Sequence, residues 1–289
     1  IDTDGNTIAD LTMTPDHEYT TPGTEDEWFN LGTENAFDLK AGWSNEDSAS
    51  EKTFARLTPE LIDGDGDQVD ASGSTFRYST NGDITDASGV WVSQTYTGTA
   101  IDIPDEYLDT LQFKAALNFS GSFSIGVVAV TRDYDEDTPA GSYVESVSGE
   151  ATLTNIVIRP VADDVTTSLN ARASGSEDEA IALNIRPQSS DPSETFNVKI
   201  ELTAATAQTL LDEGVTELNL SYLDSNNILQ TINLLDAGAS KEIVDFKTVS
   251  DLKITPPSDW SGKLNLNVTS STVDTVVIDG NPYTDTNKG

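Results

Sequence analysis

The residues of this sequence best suited to chemistry are aspartates that recur at every second position beside glycines. Residues 63–70 read Asp-Gly-Asp-Gly-Asp-Gln-Val-Asp. Alternating aspartates separated by glycine are typical of a loop that folds several carboxylates around one calcium ion. Ser74 stands where an EF-hand loop carries its bidentate glutamate, and no helix pattern flanks the stretch. We predict an isolated calcium loop between strands, with a metal-free acidic turn as the alternative. Its candidate ligands are Asp63, Asp65, Asp67 and Asp70.

Two further acidic clusters repeat this alternation. One follows the β-branched residues 122–131, and the other lies at the start of the chain, before a turn glycine. Each offers several oxygens to one hard cation, although a polar turn is the alternative for the first cluster in the chain. Their members are Asp2, Asp4, Asp133, Asp135 and Asp137.

The elements that must position these clusters are predicted to be strands. Short apolar segments are bounded by Gly, Asn and Asp, and residues 264–269 alternate apolar and polar as in a half-buried strand. Residues 203–214 are the best helix candidate, and residues 103–108 are typical of a single helical turn. The sequence therefore predicts an all-β protein.

The net charge and the absence of Cys limit the kinds of molecule that the chain can be expected to bind. The 289 residues carry 50 acidic and 15 basic side chains, a formal net charge of −35. Such a chain repels phosphate, so nucleic acid is excluded as a partner, and its carboxylates repel each other unless cations neutralise them. The chain has no Cys and therefore no disulfide. An extracellular protein of this kind needs another stabilising link, and bound calcium is the usual one. A soluble secreted or salt-adapted surface is the alternative explanation of the acidity.

Catalysis has little support in the sequence. His17 is the only histidine and lies in a polar stretch, where an exposed loop histidine is expected. There is no Gly-x-Ser-x-Gly elbow and no thiol, and nothing singles out one carboxylate pair for glycoside hydrolysis. We expect a protein that is not an enzyme. We also expect no membrane insertion, since no apolar run is long enough, and an internal part of a longer chain, since no signal peptide is present.

Four motifs occur twice in the same order, which indicates a duplicated fold. The second copy begins at the joint Arg-Pro-Val-Ala-Asp-Asp over residues 159–164, where Asp163 and Asp164 form a candidate cation site. We predict domains at 1–160 and 161–289, with the second lacking its closing strand after the acidic residues 274–285. The recurring motifs are Ile8-Ala9-Asp10 with Val161-Ala162-Asp163, residues 23–27 with 175–179, residues 50–54 with 193–196, and Phe119-Ser120-Gly121 with Trp260-Ser261-Gly262.

These motifs resemble the tandem modules of giant bacterial RTX adhesins, which include the large biofilm adhesins and the ice-binding RTX adhesin. The resemblance implies immunoglobulin-like or cadherin-like β-sandwiches in tandem, stiffened by several calcium ions at the joints. The glycine-rich nonapeptide repeats of the family are absent. The candidate joint ligands that the resemblance implies are Asp133, Asp135, Asp163, Glu177, Asp178, Asp191 and Glu194, to which the first copy adds Asp10, Glu25 and Asp26.

The first copy is longer than a plain spacer module, and such longer copies resemble ligand-binding modules of the family. We predict that it binds a cell-surface peptide C-terminus or sugar through calcium, with contacts from Asp63, Asp65, Asp67, Trp91 and Tyr96. The unfinished second copy resembles a split module. The alternative is a purely structural spacer that calcium rigidifies. Either reading places a monomer at the bacterial cell surface, outside the cell, beside neighbouring modules of the same chain.

Overall fold

The protein is an all-β molecule that divides into two compact units. The computed structural model describes residues 19, 22–32, 51–82, 90–134, 143–169 and 172–288. The first unit comprises residues 1–160 with 276–283, and the second comprises 161–275 with 284–289.

The first unit contains two sheets. The larger has the strand order β1-β10-β9-β3-β4, with β7 also paired to β3, and the smaller has the order β2-β8-β5-β6. All these pairs are antiparallel except β1 with β10. The strands are β1 (Gly23–Thr24), β2 (Phe29–Asn30), β3 (Glu51–Ile62), β4 (Gln68–Val69), β5 (Thr75–Ser79), β6 (Trp91–Thr95), β7 (Ile101–Pro104), β8 (Gln112–Lys114), β9 (Gly121–Asp133) and β10 (Val144–Arg159).

Alternation along the strands builds the core of this unit. In β3, Ala55, Leu57 and Leu61 are fully buried, whereas Arg56 between them is only half-buried. Phe76 of β5 and Phe113 of β8 pack into the same core from the smaller sheet. The two sheets therefore enclose one hydrophobic layer, as in a β-sandwich.

The second unit contains two four-stranded sheets and a strand pair. The sheets have the orders β17-β14-β19-β20 and β12-β18-β15-β16, and β11 pairs with β13. Residues 276–283, which are the end of β19, the turn and the start of β20, belong to the first unit. The strands are β11 (Thr166–Leu169), β12 (Ile181–Ala182), β13 (Ile185–Gln188), β14 (Thr195–Leu202), β15 (Asn219–Leu223), β16 (Leu229–Asn233), β17 (Glu242–Ile243), β18 (Ser250–Thr255), β19 (Leu266–Ile278) and β20 (Asn281–Lys288).

The predicted helix is present as α1 (Ala204–Asp212) in the second unit. The Thr203 side chain accepts a hydrogen bond from the Thr206 amide and caps the helix, and Gly214 follows the helix with a left-handed φ of 81°. The predicted helical turn is a 3₁₀ helix over Asp105–Thr110, and a second 3₁₀ turn spans Phe246–Thr248. None of the described helices is long and apolar enough to cross a membrane.

The two units repeat one topology. The order β10-β9-β3 in the first unit corresponds to β20-β19-β14 in the second, and β2-β8-β5-β6 corresponds to β12-β18-β15-β16. Corresponding strands follow the same sequence order in each unit. This match of two sheets, strand by strand, is what a duplicated fold requires.

The prediction that the second copy lacks its closing strand is wrong. β20 (Asn281–Lys288) follows a two-residue turn and lies beside β19. Asp279 and Gly280 both have positive φ, 50° and 77°, as hairpin turns of the primed types require. The sequence pattern missed this strand because seven of its eight residues are polar or proline, which leaves almost no apolar alternation to detect.

Candidate metal centre

Four acidic residues of the second unit lie where its sheet register brings strand ends together. Asp191 and Glu194 belong to the turn between β13 and β14, and Asp274 lies on β19. The register pairs Phe196 with Thr272 and Thr195 with Val273, so its next step places Glu194 opposite Asp274. Asp163 precedes β11, and its backbone carbonyl accepts a hydrogen bond from the Thr272 hydroxyl.

Hydrogen bonds fix one side of this acidic group. The Asp163 amide donates to Glu194 Oε1, and the Ser190 hydroxyl donates to Asp163 Oδ2. Asp191 Oδ1 accepts from both the amide and the hydroxyl of Ser193, each at 2.7 Å. One oxygen of each of these carboxylates is therefore oriented by donors of the chain itself.

The remaining oxygens are buried without donors. Asp191 is 3% exposed and Glu194 1% exposed, and neither Asp191 Oδ2 nor Glu194 Oε2 has a hydrogen-bond partner among the described residues. An oxygen of Asp191 lies within 4.8 Å of one of Asp274, which is also buried. Burial raises the pKa of the Glu194 carboxyl, and the charges of Asp163 and Asp191 raise it further. Buried carboxylates this close together are costly unless a proton or a cation compensates them.

The nearest basic side chain does not supply that compensation. Lys247 Nζ donates to the backbone carbonyls of Pro192 and Glu194. Within the part of the chain that the structure describes, no Lys or Arg forms an ion pair with Asp163, Asp191 or Glu194. That leaves a proton or a bound cation, and a divalent cation balances two buried charges at once.

The donor set suits a hard cation. Asp163, Asp191, Glu194 and Asp274 offer only carboxylate oxygens, and calcium takes six to eight oxygen ligands in flexible geometry. Zinc prefers nitrogen and sulfur, and the chain has no Cys. Asp191 and Asp274, whose oxygens lie within 4.8 Å of each other, could bind a calcium ion directly, with Glu194 and Asp163 beside them. The ion would supply the charge that the site lacks.

Sequence reasoning found three members of this group and missed the fourth. Asp163, Asp191 and Glu194 were predicted as ligands, and the structure places them together. Asp274 was not, although the repeat carried a signal for it. Asp274 follows Trp260 at the spacing at which Asp133 follows Phe119.

Asp26 and Asp178, which were predicted as ligands, fasten turns in the structure, and their binding of an ion stays a prediction. Asp178 Oδ1 accepts from the Asp259 amide at 2.9 Å, and in the first unit Asp26 Oδ1 accepts from the Asn118 amide at 3.4 Å. All four residues have positive φ, between 54° and 63°. The motifs recur because the same contact ties the same two loops in each unit.

The neighbouring glutamates of these motifs differ in burial. Glu25 is 4% exposed, and its amide donates to the Arg159 carbonyl at 2.9 Å. Glu177, at the corresponding place in the second unit, is exposed. Glu177 therefore does not share the burial of Asp191, Glu194 and Asp274.

The loop at residues 63–67 also uses its first aspartate to shape the backbone. Asp63 Oδ1 accepts from the amides of Asp65 and Asp67 at 3.0 and 2.9 Å, and Gly66 has a φ of 86°. Among the described residues, no three carboxylates of this loop converge to within 4.8 Å of one another. Asp224 makes the same pair of contacts, with Asn226 and Ile228, in the turn between β15 and β16.

Asp70 and Tyr96 lie at the start of the smaller sheet of the first unit. Asp70 Oδ1 accepts from the Ser72 amide at 2.9 Å, which lowers the pKa of the Asp70 carboxyl. The Tyr96 amide donates to the Ser74 carbonyl, and its ring packs against the core. Both residues therefore have roles in the turn that leads into β5.

Trp91 lies at the other end of β6 from Tyr96. Its ring centroid is 4.2 Å from Arg77 Cζ, and the ring centroid of Trp28 is 4.0 Å from the same atom. Arg77 also donates to the Gln112 side chain at 2.6 Å. The structure thus separates the two aromatics that were predicted to line one ligand site.

The other predicted ligands fall outside the described residues or side chains. Asp133 ends β9, but its side chain is not described. The predicted ligands outside the described part are Asp2, Asp4, Asp10, Asp135 and Asp137.

Comparison of the chain with protein family models, with curated proteins and with solved structures found no match.

Proposed function

We propose that this chain is a calcium-stabilised segment of a bacterial surface adhesin, built from tandem immunoglobulin-like or cadherin-like β-sandwiches. What supports calcium binding is one observation: Asp191 Oδ2 and Glu194 Oε2 are buried without donors beside Asp163 and Asp274. The motif resemblance to RTX adhesins supports the cellular role. Extracellular modules bind calcium with dissociation constants on the order of 0.1–1 mM, which suits action outside the cell.

Of the two roles considered, the structural spacer has the better support. In the acidic group of the second unit, Asp191, Glu194 and Asp274 are at most 3% exposed and Asp163 is half-buried, so a calcium ion there acts on the fold. The exposed loop at residues 63–67 uses Asp63 for its own turn. The calcium-dependent peptide or sugar site of residues 1–160 stays a prediction.

The test is thermal unfolding of the whole chain with calcium and with chelator. At a free calcium concentration about a hundred times the dissociation constant, one site stabilises the folded state by roughly 2.7 kcal/mol. We expect a higher melting temperature in calcium for the natural chain. Equal melting temperatures in calcium and chelator would contradict the proposal.

Two variants and a control locate the effect. Glu194→Gln and Asp191→Asn keep the side-chain shape but remove charge, so the calcium-induced shift should largely vanish. In chelator, Glu194→Gln should melt higher than the natural chain, because a buried charge without compensation is gone. Glu217→Gln removes the same charge from an exposed position of the same unit and should keep the full shift. A shared proton instead of a cation would leave every variant insensitive to calcium.

A further inference from the structure

The four strands of the smaller sheet in the first unit contain no acidic residue, although 50 of the 289 residues of the chain are acidic. The alternation that buries Phe29, Phe76 and Phe113 in the core places their neighbours on the opposite, outer face of this sheet. That face is therefore free of negative charge in a chain that is otherwise strongly acidic. Its side chains include Asn30, Gln112, Arg77, Ser93, Lys114 and Trp91.

One polar row crosses all four strands of this face. The register aligns Asn30 with Gln112, Gln112 with Arg77, and Arg77 with Ser93. Arg77 Nε donates to Gln112 Oε1 at 2.6 Å, and Gln112 Nε2 donates to Asn30 Oδ1. Gln112 is only 6% exposed. These bonds fix the Arg77 guanidinium in advance, which lowers the entropy that a ligand must lose on binding to it.

Two indole rings lie against the same guanidinium. The ring centroids of Trp28 and Trp91 are 4.0 and 4.2 Å from Arg77 Cζ. Both tryptophans are half-buried, so part of each ring remains accessible to solvent beside the cation. The face thus combines a positive charge with flat apolar surfaces.

Within the described part of the chain, Arg77 meets no carboxylate. Its side chain makes one hydrogen bond there, to Gln112, and neither Arg77 nor Lys114 belongs to an ion pair. Burial lowers the pKa of Arg77, whereas hydrogen bonds to two carboxylates raise the pKa of Arg56. The two terminal nitrogens of Arg77, whose planar geometry suits a carboxylate, therefore have no acceptor among the described residues.

We propose that this outer face, centred on Arg77, binds an acidic polysaccharide made of hexuronate rings. The carboxylate of one ring accepts two hydrogen bonds from the terminal nitrogens of Arg77, and Lys114 on the neighbouring strand attracts a second carboxylate. The C–H faces of the rings pack on Trp28 and Trp91, and ring hydroxyls bond to the polar row. This binding needs no calcium ion, and it adds a ligand site to the structural role.

The polarity of the face favours a sugar over a peptide as its occupant. On these four strands, the outward side chains other than Trp91 are polar or basic, so they form no pocket for apolar side chains of a peptide. The cations at Arg77 and Lys114 favour a charged sugar over a neutral one. The net charge of −35 repels such a sugar at long range, but salt screens charges that lie more than about 8 Å apart at physiological ionic strength.

The test titrates the intact chain with a galacturonate octamer in chelator, at a temperature at which the chain is folded, and follows tryptophan fluorescence. Chelator prevents calcium from bridging the sugar to carboxylates of the chain, and it separates this result from the unfolding test of the calcium site. We expect a saturable change in fluorescence. The methyl-esterified octamer keeps the rings but lacks the charges, and it should bind roughly tenfold more weakly or worse.

Three variants locate the binding on this face. Arg77→Lys keeps the charge but loses the planar pair of donors, and it should weaken the affinity by roughly tenfold. Lys114→Gln removes the second cation without changing the indole contacts and should weaken it by about threefold. Lys199→Gln removes a cation that is paired with Glu201 in the second unit, and it should leave the affinity unchanged. The melting temperature of each variant shows whether it is folded.

Three results would overturn the proposal. They are the absence of saturable binding by the octamer, equal binding by its methyl ester, and equal affinity in the natural chain, Arg77→Lys and Lys114→Gln. A short peptide with a free C-terminus that binds more tightly than the octamer would also overturn it, because the occupant would then be a peptide. None of these results would change the melting temperature shift that is expected from calcium.

Discussion

Asp178 fastens a turn with a carboxylate that sequence reasoning had assigned to calcium. Its φ of 63° suits Asp or Asn, and its Oδ1 accepts from the Asp259 amide. We expect Asp178→Asn to keep nearly full stability, because Asn tolerates the left-handed conformation and retains an acceptor. Asp178→Ala should lose roughly 1–2 kcal/mol, from the hydrogen bond and the backbone strain.

Chemical denaturation of both Asp178 variants, in calcium and in chelator, provides the measurement. If Asp178 were a ligand, Asn would weaken the stabilisation by calcium as strongly as Ala does. Asp26→Asn and Asp26→Ala in the first unit form the matched pair, and the same ranking is expected there.

Arg77 lies against two indole rings, so its shape matters as well as its charge. Its guanidinium stacks on Trp28 and Trp91 and donates to Gln112. Arg77→Lys keeps the charge but loses the planar stack, and we expect a loss of roughly 1 kcal/mol with an altered tryptophan fluorescence spectrum. Arg172→Lys, at an exposed position, is the control. An unchanged spectrum and stability would show that the stack contributes nothing.

Four strands of the larger sheet in the first unit are linked by a ring of charges. Arg56 of β3 bonds to Asp102 of β7 at 2.7 Å and to Glu145 of β10 at 2.9 Å, and Arg132 of β9 bonds to the same two carboxylates. The hydrogen bond from Arg56 is the largest cause that lowers the pKa of the Glu145 carboxyl. The ring therefore favours the charged form of Glu145 in the folded state.

This lowered pKa predicts the direction of a pH effect. Because the folded-state pKa lies below the unfolded value of about 4.3, the stabilisation is complete above that pH and is lost as the pH falls below it. Glu145→Gln should remove this part of the pH dependence, at a cost of roughly 0.5–1 kcal/mol near pH 7, since the pair is partly exposed and screened. Urea denaturation between about pH 3 and 7 measures it, with Asp109→Asn as an exposed control. A pH profile that Glu145→Gln leaves unchanged would contradict the assignment.

The elements were more predictable than the side chains that meet between them. Alternation over residues 264–269 predicted the first part of β19, which begins at Leu266, and the Ala, Leu and Gln residues with the terminal glycine predicted α1. The order of the motifs predicted the duplicated fold. It also aligned Phe54 with Phe196, although these two side chains lie on different faces of their strands. Phe196 is buried, whereas Phe54 is half-buried under the Arg132 guanidinium, 4.7 Å from its ring centroid. The first motif has one extra residue, Lys52, which moves the following side chain to the other face of the strand. A comparison of short motifs does not detect that shift.

The prediction of the candidate metal site was limited for the same reason, because the register of the strands decides which acidic side chains meet. The motif resemblance included Asp191 and Glu194, which share one short turn, whereas Asp274 joins them only through the register of β14 with β19. For the loop at residues 63–67, composition alone did not show that Asp63 accepts two amides of its own turn, because this depends on the backbone conformation that includes the positive φ of Gly66. Calcium binding by this loop stays a prediction.

At the scale of the whole molecule, the net charge of −35 opposes the compact state. In chelator, we expect sodium chloride to raise the melting temperature steadily, because salt screens the repulsion between exposed carboxylates. In saturating calcium, the rise should be smaller, because the bound ion already neutralises the buried acidic group. Calorimetry over a salt series measures both trends, and an identical salt dependence in calcium and chelator would contradict the second.

Every non-glycine residue with positive φ in the described part of the chain is an Asp or an Asn. Six of these eight are aspartates. Because Asn adopts the same left-handed conformation, replacing all six would change the net charge from −35 to −29 while keeping the backbone. Solubility and salt tolerance can thus be adjusted at these turns independently of the shape of the fold. The six aspartates are Asp26, Asp178, Asp245, Asp251, Asp259 and Asp279.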